Sequence, residues 1–175
     1  NNIGTKVAKG ELLLLLNNDI EAIEKGWFEE MVSQVLRPEI SCVGAKLLYP
    51  DETIQHAGVI GLSVGAGHAF RNTDNRSKIN SGALNLVRNY SAVTAACLMV
   101  RKEVYKEVGG LDEVAFPVAY NDVDLCFRAN NSRFRNLWTP NACHIHAESS
   151  SRGSDFVRAK IARSSNEKQK AISRW

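Results

Sequence analysis

Five consecutive leucines, Leu12 to Leu16, followed at once by Asn17, Asn18 and Asp19, leave this chain few ways to fold. The run is far too short to cross a bilayer, which takes about 20 apolar residues. A continuous apolar run of this length, stopped by turn formers, reads as a strand buried on both faces, over residues 11–16. Trp27, Met31, Val32, Val35 and Leu36 then recur at helical spacing, and Pro38 closes that helix. Strands are expected over 41–49, 53–62 and 90–100. A long loop over 63–85, with a helical turn near its end, is expected between the last two. A helix over 101–108 stops at Gly109 and Gly110, and another covers 120–130. Short strands over 134–138 and 142–146 precede a charged helical segment, 155–175. Strands alternating with helices imply an α/β or mixed α+β layer fold, with polar sites collecting at the carboxyl ends of strands.

Composition narrows the function classes. The apolar fraction of 44% and charged fraction of 23% are those of a globular chain, so disorder is not expected. A net charge of +3 without any Lys/Arg block longer than a pair argues against a nucleic-acid footprint. Cys42, Cys97, Cys126 and Cys143 form no C-x-x-C pair and read as buried free thiols, which fits a reducing, cytoplasmic setting. The opening Asn1-Asn2-Ile3-Gly4 lacks an initiator Met and leads into a strand-like stretch. It reads as a cut piece of a longer protein.

Three polar clusters fall where strands or helices begin and end. In LLLLLNNDIE, Asp19 is held just past a buried strand and could ligate a divalent cation with Asn17 beside it; an Asx-turn or cap uses the same residues. In YNDVDLCFR, Asp122 and Asp124 open a helix, and two residues apart they face nearly opposite sides. Asp122 is the choice for a general base, with helix capping as the competing role. In HIHAESSSRG, His144 and His146 are imidazole candidates for metal. Ser149, Ser151, Arg152 and Gly153 suit contact with an oxyanion, or equally an ordinary solvated loop.

Taken together and in order, these stretches resemble the family 2 glycosyltransferases, above all bacterial enzymes that build O-antigen and other surface polysaccharides. GELLLLLNNDIE resembles the strand bearing that family's D-x-D-type motif. VGAKLLYPDETIQHAGVI, AVTAACLMVRKEVYKEVGGLDE and NDVDLCFR follow in the family's order, and TPNACHIHAESSSRG is similar to its late H-x-E-S-x-S-R-G element. The resemblance runs almost end to end. It implies a GT-A-like mixed sheet flanked by helices, with residues 1–175 forming a partial domain that lacks the N-terminal nucleotide-binding half.

By this resemblance Asp19 and His146 are the metal ligands, holding Mn²⁺ or Mg²⁺. Asn17 stands in place of the first Asp of the motif, on the donor side. Asp122 is the catalytic base, with Asn121 replacing the Glu that often precedes it. Thr94, Ala95 and Ala96 line the donor pocket, and Ser149, Ser151 and Arg152 approach the diphosphate. His68, Phe116, Tyr120 and Asn121 are the expected acceptor contacts. The implied reaction moves a sugar from a nucleoside-diphosphate sugar to a saccharide or lipid-linked acceptor, with inversion. A metal with histidine in its shell leans toward Mn²⁺. Without the nucleotide-binding half the chain alone is expected to turn over little or nothing. Peripheral association with the inner membrane face and self-association through exposed sheet surface both accord with this reading. Two rivals differ in class. A nucleotidyltransferase is disfavoured by the lack of a Gly-rich phosphate loop with a partner Lys. A carbohydrate-binding module would use Trp27, Trp138 and Trp175 as stacking platforms, yet Trp27 and Trp138 read as core.

Overall fold

A computed structural model describes residues 1–62, 65–77, 82–147 and 158–175. Its elements are α1 (Asn2–Val7), β1 (Leu12–Leu16), β2 (Ile20–Ala22), α2 (Trp27–Val35), β3 (Ile40–Leu48), β4 (Ile54–His56), β5 (Val59–Leu62) and β6 (Gly65–His68). They continue with β7 (Arg88–Tyr90), β8 (Cys97–Arg101), α3 (Lys102–Glu107), α4 (Asn121–Asn131), β9 (Arg135–His146) and α5 (Arg158–Arg174). A seven-stranded sheet runs in the order β1-β8-β3-β9-β2, with β4 beside β3 and β7 beside β9. Among the described strands only the β3–β9 pairing is parallel. β5 and β6 form a separate hairpin.

Helices cover both faces, which explains the unbroken leucine run. Leu13 and Leu15 join Leu98, Val100, Val104, Leu125 and Cys126 in one core. On the other face Met31 and Val35 of α2 pack on Val43, Ala45, Leu47 and Met99, and Leu12 and Leu14 border that cluster. Each leucine so buried stabilises by about 1.5–3 kcal/mol. The four thiols are buried and free. Burial pushes Cys97 up to about 12 and Cys143 up to about 11, so neither is a ready nucleophile.

Several expected boundaries move, each for a local reason. The opening segment is a helix, α1. Asn2 donates to the Leu111 carbonyl (2.8 Å) and accepts from the Tyr105 hydroxyl (2.5 Å), docking it on the body. The expected strand over 53–62 splits at Gly58, whose φ of 98° favours glycine; a Cβ there would lie 2.3 Å from the Tyr90 ring. Part of the expected loop over 63–85 is β6, while the 3-10 turn Ala83–Asn85 lies near its end. The expected strand over 90–100 is β7 and β8 with a buried irregular stretch between. There Ala92 bonds Val59 in both directions, and Val93 rests on Gly44, where a Cβ would come within 2.5 Å of Val93 Cβ. The two short strands over 134–146 are one strand, β9. Its register on β3 jumps from Thr139 to Cys143 around Pro140, which has no N–H to give the ladder. The C-terminal helix, described over Arg158–Arg174, folds back. Arg174 pairs with Asp112 (2.8 Å) and Asp124 (3.0 Å), and the Trp175 indole donates to Asp124 (3.1 Å).

His144 sits wholly inside, its ring edge-on to Trp27 at 4.7 Å, and neither ring nitrogen has a partner among the described residues. Burial lowers its pKa to about 4. Unfolded, the ring titrates near 6.5, so between these values the unfolded chain binds more protons and stability falls as pH drops. His144→Leu is expected to remove about 2–3 kcal/mol of that loss. Urea melts of parent and variant at pH 7 and pH 4 measure it, and an unaltered pH slope would reject the assignment.

Candidate active site

Strand β1 ends in Leu16, and the turn that follows carries the first polar group of the site. The Asn17 amide donates to the Ala96 carbonyl at 2.9 Å, which anchors the turn to the stretch before β8. Strand β2 then pairs with β9, setting Ile20 opposite His146, and the Ala147 amide donates to the Asp19 carbonyl (3.2 Å). Two segments 127 residues apart thereby bring Asp19 Oδ1 within 3.1 Å of His146 Nε2, with Asn17 Nδ2 at 3.3 Å from the same nitrogen.

Hydrogen bonding constrains one nitrogen of that imidazole. Gln55 of β4 donates its amide to the His146 carbonyl (3.3 Å), which turns Gln55 Oε1 toward His146 Nδ1 at 2.5 Å. An acceptor facing Nδ1 requires that this nitrogen carry the proton. In the neutral ring, Nε2 then presents its lone pair beside the Asp19 carboxylate. A proton on Nε2 or a metal cation beside it would reconcile that lone pair with the carboxylate, and an N–H held by an oxygen acceptor is the usual support for a metal-bound histidine. A carboxylate and an imidazole therefore fit a divalent ion such as Mn²⁺. Among the described residues no group of three or more His, Cys, Asp or Glu surrounds the pair, so water or ligand oxygens would complete the shell.

The second half of the site is built on the irregular stretch after β7. Asp122, in the first turn of α4, accepts at Oδ2 from the Thr94 hydroxyl (3.0 Å) and the Ala95 amide (2.9 Å), and at Oδ1 from the Val123 amide (2.8 Å). Three donors fix its orientation, and its remaining lone pairs border a cleft of about 280 Å³ lined also by His68, Arg71, Thr94, Tyr120 and Val123. Asp124 points elsewhere. It is buried under Arg128, Arg174 and Trp175 and has a structural part.

The two halves are neighbours. Residues 94–96 hold Asp122 at one end and, through the Ala96 carbonyl, Asn17 at the other. Strand β4 serves both as well, because successive side chains point to opposite sides. Gln55 holds His146, while His56 Nε2 accepts from the Thr94 amide (3.4 Å) and its Nδ1 faces His68 Nδ1 at 3.0 Å. Burial first, and then His68, hold His56 well below the usual imidazole range, so it is neutral.

Of the remaining expected contacts, Tyr120 lines the cleft and is the left-handed residue (φ 60°) from which α4 starts. Asn121 follows it, its amide donating to the Val118 carbonyl (3.1 Å). Phe116 does not line the cleft. It is 1% exposed, with the Arg174 guanidinium 4.9 Å over its ring, because the C-terminal helix covers it. Ser149, Ser151 and Arg152 lie outside the described residues. Sequence reasoning missed Gln55 and His56, whose one visible signal was two polar residues inside the apolar run IQHAGV. It also missed Glu167 of α5, buried and accepting from the Ala119 (2.5 Å) and Val118 (3.3 Å) amides, which secures the turn that aims α4.

No protein-family model matches the chain. It is 44% identical over 176 residues to the uncharacterized protein y4gI of Sinorhizobium fredii (strain NBRC 101917 / NGR234), covering all of this chain and 19% of that protein. Over 159 residues it is 44% identical to the O-antigen biosynthesis protein RfbC of Myxococcus xanthus, covering 90% of this chain and 12% of that protein. The chain thus spans less than a fifth of the length of these curated relatives. Among solved structures it is similar to the mannosyltransferase PcManGT from Pyrobaculum calidifontis in complex with GDP-Man and Mn²⁺. That match has a TM-score of 0.61 and 15% identity, over 98% of this chain and 42% of the other. It is also similar to GalNAc-T7 with UDP, GalNAc and Mn²⁺, at TM-score 0.63 and 14% identity, over 94% of this chain and 33% of the other. At such identities the likeness establishes the fold, a mixed sheet flanked by helices of the GT-A glycosyltransferase type.

Proposed function

We propose that this chain carries the metal, base and acceptor groups of an inverting glycosyltransferase of family 2 type, acting on a nucleoside-diphosphate sugar and a saccharide or lipid-linked acceptor in bacterial surface-polysaccharide synthesis. The observation that supports this most is the bridge at residues 94–96, which ties a carboxylate–imidazole pair to a second, oriented carboxylate. Asp19 and His146 hold the ion, with Asn17 beside them and Gln55 keeping the imidazole in its ligating form. When bound, Mn²⁺ or Mg²⁺ supplies Lewis-acid stabilisation of the departing diphosphate. Asp122 takes the proton from the acceptor hydroxyl. That oxygen attacks the anomeric carbon on the face opposite the leaving group, and configuration inverts. Thr94 and Ala95 hold the base still through this step. His68, Tyr120 and Asn121 border the acceptor, and Ser149, Ser151 and Arg152 attend the diphosphate. The RfbC likeness suits an O-antigen role. Among the described residues no helix is long and apolar enough to cross a membrane.

The competing picture of a sugar-binding module has less to stand on. Trp138 is fully buried and Trp27 is half-buried against His144, so two of its three stacking platforms are committed to packing. Calorimetric titration of the chain with UDP and with GDP, each with Mn²⁺ and with chelator, separates the two. A transferase site binds at least one of them weakly and only with the metal. Binding of neither, or binding indifferent to chelator, would count against the proposal.

A further inference from the structure

Away from these groups, β3 carries a lysine that the proposed reaction does not use. Lys46 is only 6% exposed, and its ammonium has no hydrogen-bond acceptor and no carboxylate partner among the described residues. Its stem is buried while its ammonium, unpaired, still reaches solvent, so the charge is only partly desolvated. Burial holds Lys46 below the usual amine range, opposed by Cys143 and Glu24. The side chain opens on a cleft of about 500 Å³, whose wall includes Arg76, Asn75, Ser77 and Asn85. Arg76 is 78% exposed and leans on Glu52 at 2.7 Å, so its guanidinium stands at the rim rather than neutralising anything within. The Asn75 side-chain oxygen is buried without a partner among the described residues, and an amide there can turn its N–H₂ inward when an acceptor arrives. None of these residues lines the Asp122 cleft.

We propose that the Lys46 cleft is a second ligand site that binds an oxyanion; resting on the proposed function, this is the phosphate or carboxylate of a charged sugar. Lys46 supplies the charge at the base, Asn75 and Asn85 supply neutral donors, and Arg76 supplies a second, adjustable cation at the mouth. A partly desolvated ammonium with no internal partner favours a small, hard anion over a neutral hydroxyl cluster, because its charge-assisted hydrogen bonds to an anion are the stronger ones. The site would let the protein distinguish a charged sugar from its uncharged counterpart.

The test is an amide-resolved NMR titration of the isotope-labelled chain with inorganic phosphate, glucuronate and glucose at constant ionic strength. Saturable shifts confined to Lys46, residues 75–77 and residues 82–85 are expected with an anion and not with glucose. Saturation by phosphate alone identifies a phosphate-bearing sugar, and saturation by glucuronate alone identifies a uronate. Lys46→Met should weaken binding about tenfold or more, the worth of one charge-assisted hydrogen bond. Lys46→Arg keeps the charge and should retain most of the binding. Methionine keeps the buried stem apolar, and a dispersed Lys46→Met spectrum verifies that the fold is retained. Shifts that never saturate, that appear equally with glucose, or that persist undiminished in Lys46→Met would overturn the proposal. This outcome is independent of the Mn²⁺–nucleotide titration, so either can fail alone.

Discussion

In the full-length protein, replacing Asp122 by asparagine is expected to lower the sugar-transfer rate by about 10²–10⁴-fold, the usual contribution of a positioned general base. The substitution is nearly isosteric. The carbonyl oxygen of the new side-chain amide can still accept from Thr94 and Ala95, so the bridge at residues 94–96, and with it Asn17, should stay in place. What disappears is the ability to take a proton. Metal-dependent nucleotide binding should therefore survive while turnover collapses. That pattern separates loss of a base from loss of the fold. A rate within a few-fold of the parent, measured on the same donor and acceptor, would remove Asp122 from the reaction.

The second large effect concerns the ion. Asp19→Ala leaves His146 Nε2 facing an apolar methyl, and a single imidazole is a poor home for Mn²⁺. The metal dependence of nucleotide binding should vanish. The loss should exceed the roughly 10–100-fold commanded by the groups behind a metal ligand. Gln55→Leu should itself fall within that roughly 10–100-fold range, since it frees His146 to rotate and to change tautomer. Calorimetry of Mn²⁺ and nucleoside diphosphate against the three proteins reads both effects. If Asp19→Ala binds the ion as the parent does, the carboxylate is a turn cap and no more. An unchanged Gln55→Leu would sever the argument that Gln55 keeps Nε2 available.

Much of the scaffold was legible because it rests on burial periodicity. The leucine run had to lie between two layers, and helical spacing of Trp27, Met31 and Val35 had to face one of them. What escaped was backbone that is apolar without being a strand. Residues 91–96 look like sheet from sequence, since a buried irregular stretch and a buried strand need the same side chains. Only Val93 on Gly44 and the Ala92–Val59 bonds decide between them. Asp19, Asp122 and His146 stood out as polar residues at element ends. Gln55 and His56 did not, because their importance lies in partners 91 and 38 residues away. Phe116 misleads for a related reason. Whether an aromatic ring faces a cleft or a neighbouring helix depends on where the C-terminus returns, and composition alone does not record that return.

The seat of Val93 on bare backbone at Gly44 gives the interior an unexpected authority. Thr94 and Ala96, which hold the two halves of the site, are the next links along a chain whose height above the sheet is set by a missing methyl. On the proposed function, interior fit and the placement of the reacting groups are therefore linked in this protein. A lesion deep in the hydrophobic centre would present to a geneticist as a broken enzyme, and searching the cleft for its cause would find every reactive side chain intact.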